Sequence, residues 1–451
     1  RRNVLMGGLA LSAAAAVVPA SAKPYFGDYG VDSAGFDGAV DPGDDFYRHV
    51  NGGWLKGASI PPDRSRWGEF DRLRELSDLN TKAILEQAAL PGSSGVSRKI
   101  GDFYASFMDE AAIEARGTEP LKPELARIAA ISTPAELAQA IGRMNRDASG
   151  SLPVNLGVGV DQKSPERYIT SLSQGGLGLP DRDYYMVDQP AFVAARESYR
   201  KHVAKMLGLA GFSDPAARAE RIFAFEDRLA RTHWSRVESR DADKTYNPWP
   251  TADLAAKAPG FAWGEFLTAL EVQNRPTFIV RQPTSLTAFA ALAQAAPLET
   301  WRDYLAFRLI ASNASVLPRA FAEESFDFNG RVLNGTPEQP IRWKRGVAAT
   351  NGALGDAVGR LYAAKHFPPD AKAKAEVLIA NVMAAMARRI KAVPWMTAPT
   401  KAKALEKLAA LRVEIGYEET RRDYSNLEIV PGDAYGNRLR ALRHDYARAM
   451  A

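Results

Sequence analysis

From Trp67 onward the apolar residues return at helical spacing, and one stretch alone departs from that rule. Phe70, Leu73, Leu76 and Leu79, followed by Ile84 and Leu85, mark the first long helix. Further helices are expected at 97–115, 120–131, 134–148, 190–210, 214–232, 285–295, 298–322, 340–366, 369–392 and 399–411. Proline punctuates their borders, as in "STPAEL" and "FPPDAK". The departure is "SLPVNLGVGVDQKSPERYITSLSQGG", which alternates apolar and polar residues around a turn signal at "DQKSPE" and predicts a β-hairpin. No repeat of fixed period and no low-complexity linker divides the chain. The pattern predicts a mainly α body with one small β element.

That body must stand on its core, because the chain has no cysteine. Disulfides, thiolate metal sites, thiol nucleophiles and a lipid-bearing cysteine are excluded together. With 46% hydrophobic residues, 8 Trp, 15 Tyr and 19 Phe, the material for a core is ample. The net charge of +5, from 58 basic and 53 acidic residues, is spread along the chain without a basic stripe. A nucleic-acid partner is therefore not expected.

The first 22 residues read differently. Arg1-Arg2 precede an apolar run from Leu9 to Val18 and then Ala20-Ser21-Ala22, the order of a removable signal peptide. The run is too short to span a membrane. The arginine pair favours the twin-arginine route over the ordinary secretory one. The mature chain is expected to start near Lys23 in a periplasmic or extracellular setting. A loop-rich segment at 23–43 and a helical domain at 44–451 then follow.

A search for chemistry by spacing returns little. None of His49, His202, His233, His366 and His444 stands three to five residues from another, so no helical zinc pair exists among them. Glu226 and His233 are two helical turns apart, and a charged helix surface accounts for them more simply than a metal pair. A Gly-x-Ser-x-Gly elbow is missing. "NLGVGVD" lacks the third glycine and the following helix of a dinucleotide loop.

Two longer stretches carry a resemblance. "DPGDDFYRHVNGGWLKGASIPPDRSRWGEFDRLRE", from Asp41 to Glu75, resembles the start of the neprilysin and endothelin-converting-enzyme family of zinc metallopeptidases. "GGLGLPDRDYY", from Gly175 to Tyr185, resembles that family's internal signature. "ESRDADKTYNPW", "RWKRGVAATNGALGDAVGRLYAAKHFPPDAKAKAE" and "TKAKALEKLAALRVEIGYEETRRDYSNLEI" agree with it in order. The resemblance implies the multi-helical N-terminal lid domain of a neprilysin-like peptidase, with the thermolysin-like catalytic domain missing from this chain. It also implies one catalytic zinc, held by an HExxH motif beyond these residues, that activates water against oligopeptides. The implied partners are peptide substrates and the chain's own C-terminal catalytic domain, with no membrane span. The competing expectations are a non-enzymatic peptide-binding module of the same descent and a helical scaffold.

Within "SRWGEFD" the family correspondence marks three substrate-binding residues. Arg66 matches the arginine that holds the substrate's carboxylate end, Asp71 its acidic partner, and Phe70 an aromatic wall. A planar guanidinium can hold a carboxylate through two parallel hydrogen bonds, and an acidic neighbour fixes its direction. On one continuous helix Arg66 and Asp71 would lie about 140° apart. Their pairing thus requires Arg66 at or before the first turn, with Ser65 as the expected N-cap. The structural alternative is a surface ion pair beside a core phenylalanine. Asp183, Tyr184 and Tyr185 are expected to hold the loop after the hairpin.

Overall fold

The computed structural model describes residues 33–147, 150–417 and 420–451. The expected signal peptide at 1–22 lies outside the described residues. The chain divides into two compact units, residues 1–61 and residues 62–451.

In the first unit a short 3-10 turn (Ser33–Gly35) is followed by helix α1 (Phe46–Gly57). The helix starts at Asp45, whose carboxylate accepts the amide of Arg48 at 2.9 Å and so satisfies one of the free N–H groups of the first turn. Asp37 pairs with Lys56 at 2.8 Å, tying the preceding turn to the last turn of α1.

The second unit contains the longer helices α2 (Glu69–Ala88), α3 (Gly95–Met108), α4 (Pro134–Arg146), α5 (Pro190–Leu209), α6 (Pro215–Ala230), α7 (Pro283–Ala295), α8 (Leu298–Asn313), α9 (Arg342–His366), α10 (Pro369–Ala392), α11 (Ala398–Ala409) and α12 (Ala434–Met450). The "STPAEL" border works as expected. Thr133 accepts the amide of Glu136 at 3.2 Å while the Glu136 carboxylate accepts the amide of Thr133 at 3.1 Å, a capping box with Pro134 at the first helical position.

Several expected helices are shorter. The helix expected at 97–115 breaks at Asp109, whose side chain caps a new helix (Glu110–Arg116). The one expected at 298–322 stops at Asn313 and resumes as Arg319–Phe326 after Pro318, which cannot donate to the preceding turn. Apolar periodicity continues across both breaks, so spacing alone does not reveal them.

The predicted hairpin is present as β1 (Val154–Asp161) and β2 (Ser164–Gln174), antiparallel with Val154 opposite Gln174. It belongs to a larger sheet. Strands β3 (Pro248–Pro250) and β4 (Thr277–Val280) extend it in the order β1-β2-β4-β3, with β4 parallel to β2. The extra strands have three and four residues, too few to show alternation, and Phe278, Ile279 and Val280 are all buried.

Two larger hydrophobic cores organise this unit, beside a small cluster of Phe107, Ile113, Val316 and Ala434. The larger gathers α4 to α8, the sheet and a short helix (Trp263–Ala269) around Trp301, Tyr199, Tyr304 and Phe225. The smaller joins α2, α3, α9 and α12 through Leu85, Ile100, Phe103, Val347, Leu354 and Ala441. Among the described residues no helix is long and apolar enough to cross a membrane.

Candidate functional site

Helix α2 is held by its C-terminal half. Thr81, Ile84, Leu85 and Ala88 are buried, and α3 approaches so closely that a Cβ on Gly101 would lie 2.2 Å from the Ala88 carbonyl oxygen. Its N-terminal half projects outward. Leu73, Leu76 and Leu79 are about half exposed and Phe70 is 88% exposed. The periodicity therefore marks the helix correctly, but its first four apolar residues form an outer face instead of core. A phenylalanine this exposed is not placed for packing within the chain.

The N-cap is Gly68, in an extended conformation with no side-chain cap bond, and not Ser65 as expected. Glu69 and Asp71 occupy the first turn, where the helix N-terminus favours negative charge. Arg66 therefore precedes the helix by three residues, and the 140° separation of a continuous helix does not apply. Its Nε stands 3.6 Å from Asp71 Oδ1, with the arginine side chain 85% exposed and the aspartate 17%. Among the described residues the guanidinium has no hydrogen-bond partner, so both Nη groups remain available. An exposed pair of this kind adds little stability. What it does is orient one edge of a guanidinium whose fork faces outward.

The segment that carries Arg66 is tied down on both sides by charges the sequence reading did not single out. Arg64 Nη2 lies 2.5 Å from Glu75 Oε2, and Lys344 Nζ bridges Glu75 Oε1 at 2.7 Å and Asp63 Oδ2 at 2.8 Å. The Pro62 carbonyl accepts the Glu338 amide at 2.9 Å. Partial burial by itself would raise the Glu75 pKa. The hydrogen bonds from Lys344 and Arg64 outweigh it and hold the carboxyl below its ordinary range. Asp78 has only a distant contact with Arg64, at 3.9 Å, and there burial wins and the pKa rises. Lys344 lies far along the chain in "RWKRG", and no local signal links it to residues 63–75.

The loop after the hairpin is pinned by a buried network. Glu226 accepts Tyr185 Oη at 2.7 Å, Tyr199 Oη at 2.9 Å and the Gly178 amide at 3.0 Å, and pairs with Arg308 Nη2 at 3.1 Å. The Gly176 carbonyl accepts Tyr304 Oη at 2.8 Å and Arg308. Gly176 has φ of +90°, a conformation few other residues adopt without strain. Tyr185 thus holds the loop, as expected, and Tyr184 stacks on Phe192. Asp183 does not: its carboxylate is largely exposed and among the described residues meets only Arg182, at 3.8 Å.

The simpler reading of Glu226 and His233 as a charged helix surface is overturned. Both are buried, and α6 ends at Ala230, before His233. Neither is part of a metal group, and among the described residues no cluster of three or more His, Asp or Glu could hold a metal ion. Burial, opposed by a Gly175 backbone contact, pushes the His233 pKa down to about 4.

Comparison with known proteins places this mainly helical chain in a family. The model of Peptidase family M13 matches residues 42–418, and the chain belongs to that family. Neprilysin of Homo sapiens is 27% identical over 417 residues, covering 85% of this chain and 55% of its own. The endothelin-converting enzyme homolog of Locusta migratoria is 26% identical over 438 residues, covering 91% and 60%. The inhibitor-bound structure of Mycobacterium tuberculosis zinc metalloprotease Zmp1 superposes with a TM-score of 0.87 at 37% identity, covering 93% of this chain and 64% of that one. The chain thus spans less than two thirds of these relatives' length.

Proposed function

We propose that this chain is the substrate-enclosing helical portion of an exported zinc metalloendopeptidase that hydrolyses oligopeptides. The observation that carries the reading is the exposed guanidinium of Arg66, 3.6 Å from Asp71, with the exposed Phe70 one residue before that aspartate. The two Nη groups of Arg66 would donate parallel hydrogen bonds to a peptide's terminal carboxylate. Asp71 keeps the Nε edge turned inward, and Phe70 supplies an aromatic wall for the adjoining side chain. Fixing the peptide end turns binding energy into positioning of the scissile bond.

Zinc, when bound in such an enzyme, polarises the carbonyl and activates water. The described residues do not fit the ion, so its ligands would come from the share of the parent enzyme that this chain does not span. That share would also cover apolar surface left bare here. Helices α10 and α11 have no buried residue, and Val377, Leu378, Val382, Met386 and Trp395 are exposed.

The test is made on the intact parent protein with a short fluorogenic peptide and a folded protein as rival substrates. Cleavage of the peptide alone, abolished by a chelator and restored by zinc, is the expected result. Undiminished activity after metal removal, or equal cleavage of the folded protein, overturns the reading. Export is tested separately by a reporter fused to residues 1–22. Replacing Arg1 and Arg2 with Lys should strand it in the cytoplasm if the twin-arginine route is used.

A further inference from the structure

Between α3, α9 and α12 lies a cavity of about 230 Å³ with walls that are mostly apolar, among them Phe103, Phe107, Val316, Ala353 and Leu442. One cation stands on its wall. Arg438, on α12, lies largely out of solvent, and among the described residues it forms no ion pair. Its hydrogen bond runs from Nη1 to the neutral side-chain oxygen of Asn313, at 2.7 Å. That amide is held in place, because its Nδ2 donates to the Leu309 carbonyl at 2.8 Å.

A guanidinium stays charged even when desolvated, and a charge removed from water without a counter-ion is costly. Burial accordingly pushes the Arg438 pKa below its usual value. Asp445 also borders the cavity but makes no ion pair with Arg438. The larger polar cleft beside α4 offers a contrast. There Arg443 is matched by Asp147 at 2.7 Å, Arg146 by Glu271 at 2.7 Å and Arg127 by Glu124 at 2.9 Å. Those charges are already answered; that of Arg438 is not.

We propose that this cavity is a binding site for a small branched aliphatic monocarboxylate, with the carboxylate on Arg438 and the hydrocarbon between Phe103, Phe107, Val316 and Leu442. Arg438 is the one cation on the lining and Asp445 the one carboxylate, so the site can take no more than a single negative charge. The mostly apolar walls would disfavour a phosphate, whose second charge finds no second cation there. The volume falls below the roughly 300 Å³ at which drug-sized pockets begin, which restricts the ligand to a few carbon atoms. The carboxylate could belong to a free acid or to the end of a chain, and the two share this chemistry. The inference does not rest on the peptidase reading.

The test titrates the intact protein calorimetrically with 3-methylbutanoate, its neutral amide, and N-acetyl-leucine as the chain-end mimic. At least one of the two acids should bind saturably and at least tenfold more tightly than the amide. The tighter of the two identifies the source of the carboxylate. Arg438→Met should remove the preference for acid over amide. Gly352→Leu provides a second route to the same loss, because Gly352 lines the cavity and a Cβ there meets nothing within 4 Å, which leaves room for a side chain that competes with the ligand. It should weaken acid binding at least tenfold with a melting transition no lower than the parent's, since glycine is a poor helix former, and it decides the matter if Arg438→Met fails to fold. Absence of saturable binding by either acid, equal binding of acid and amide, or full retention in Gly352→Leu overturns the proposal.

Discussion

Arg308 Nη2 meets Glu226 Oε1 at 3.1 Å with the carboxylate wholly removed from solvent, so the loop after the hairpin is closed over a buried ion pair. The same carboxylate takes two tyrosine hydroxyls and a backbone amide, which leaves none of its oxygens unmatched. Breaking a buried pair by neutralising one member strands the other, at a cost of about 3–5 kcal/mol. Glu226→Gln should destabilise the fold by that amount in urea titration. Tyr199→Phe removes one donor to the carboxylate but leaves Arg308 and Tyr185 in place, and should cost less, about 1.5–3 kcal/mol.

At the entry to α2 the loss should be smaller and should depend on pH. Glu75 has its folded pKa depressed below the ordinary 4.5, so it binds protons more readily in the unfolded chain. Its contribution is present above pH 4.5 and disappears as pH falls through the lower folded value. Lys344→Met should reduce stability at pH 7 by about 1–2 kcal/mol. Much of the difference between Lys344→Met and the parent should vanish as pH falls below 4.5 and through the lowered folded value, measured by thermal denaturation across that range.

His233 sets a second pH window. Its folded pKa of about 4 lies below the ordinary 6.5, so between those values the unfolded chain takes up a proton that the folded chain refuses. Stability is therefore full above pH 6.5 and declines as pH falls towards 4. The 2.5-unit difference corresponds to about 3 kcal/mol at 1.36 kcal/mol per unit. Replacing His233 with Gln should flatten this part of the stability profile, whatever the change in stability at neutral pH.

The exposed apolar face of α10 should make the 451-residue chain self-associate when produced alone. Val382→Lys combined with Met386→Glu should raise the monomer fraction in light scattering while leaving the melting transition within about 0.5 kcal/mol of the parent, since neither residue is buried.

The helices and the hairpin were legible because each has a period that its own residues repeat. Strands β3 and β4 were not, since three and four residues cannot show alternation and their pairing, as in Trp249 with Phe278 and Leu172 with Val280, is decided far along the chain. Phe70 was legible as part of a helix but not as an exposed ring, because periodicity gives spacing and not which face meets solvent. Glu226 likewise looked like a surface charge until Arg308, Tyr185 and Tyr199 were brought around it by tertiary contacts. Arg66, Phe70 and Asp71 came from family resemblance. The ion pair at 3.6 Å joins Arg66 to Asp71, while the grouping with Phe70 and the role of all three in holding substrate stay with the proposal. Arg64, Glu75 and Lys344, which fix that segment, carried no local signature at all.

The most direct measurement compares peptides ending in a free carboxylate with the same peptides amidated, using the parent enzyme and its Arg66→Ala variant. A charge-assisted pair contributes about 1.5–3 kcal/mol, so kcat/KM for the acid peptides should fall roughly 10- to 150-fold. The amides should scarcely change, having no anion for the guanidinium to hold. Asp71→Asn should give a weaker version of the same pattern, and Arg66→Lys should recover part of the loss, keeping the charge without the planar fork. Equal losses for acid and amide peptides, accompanied by a lower melting temperature, would contradict the account and make Arg66 a structural residue.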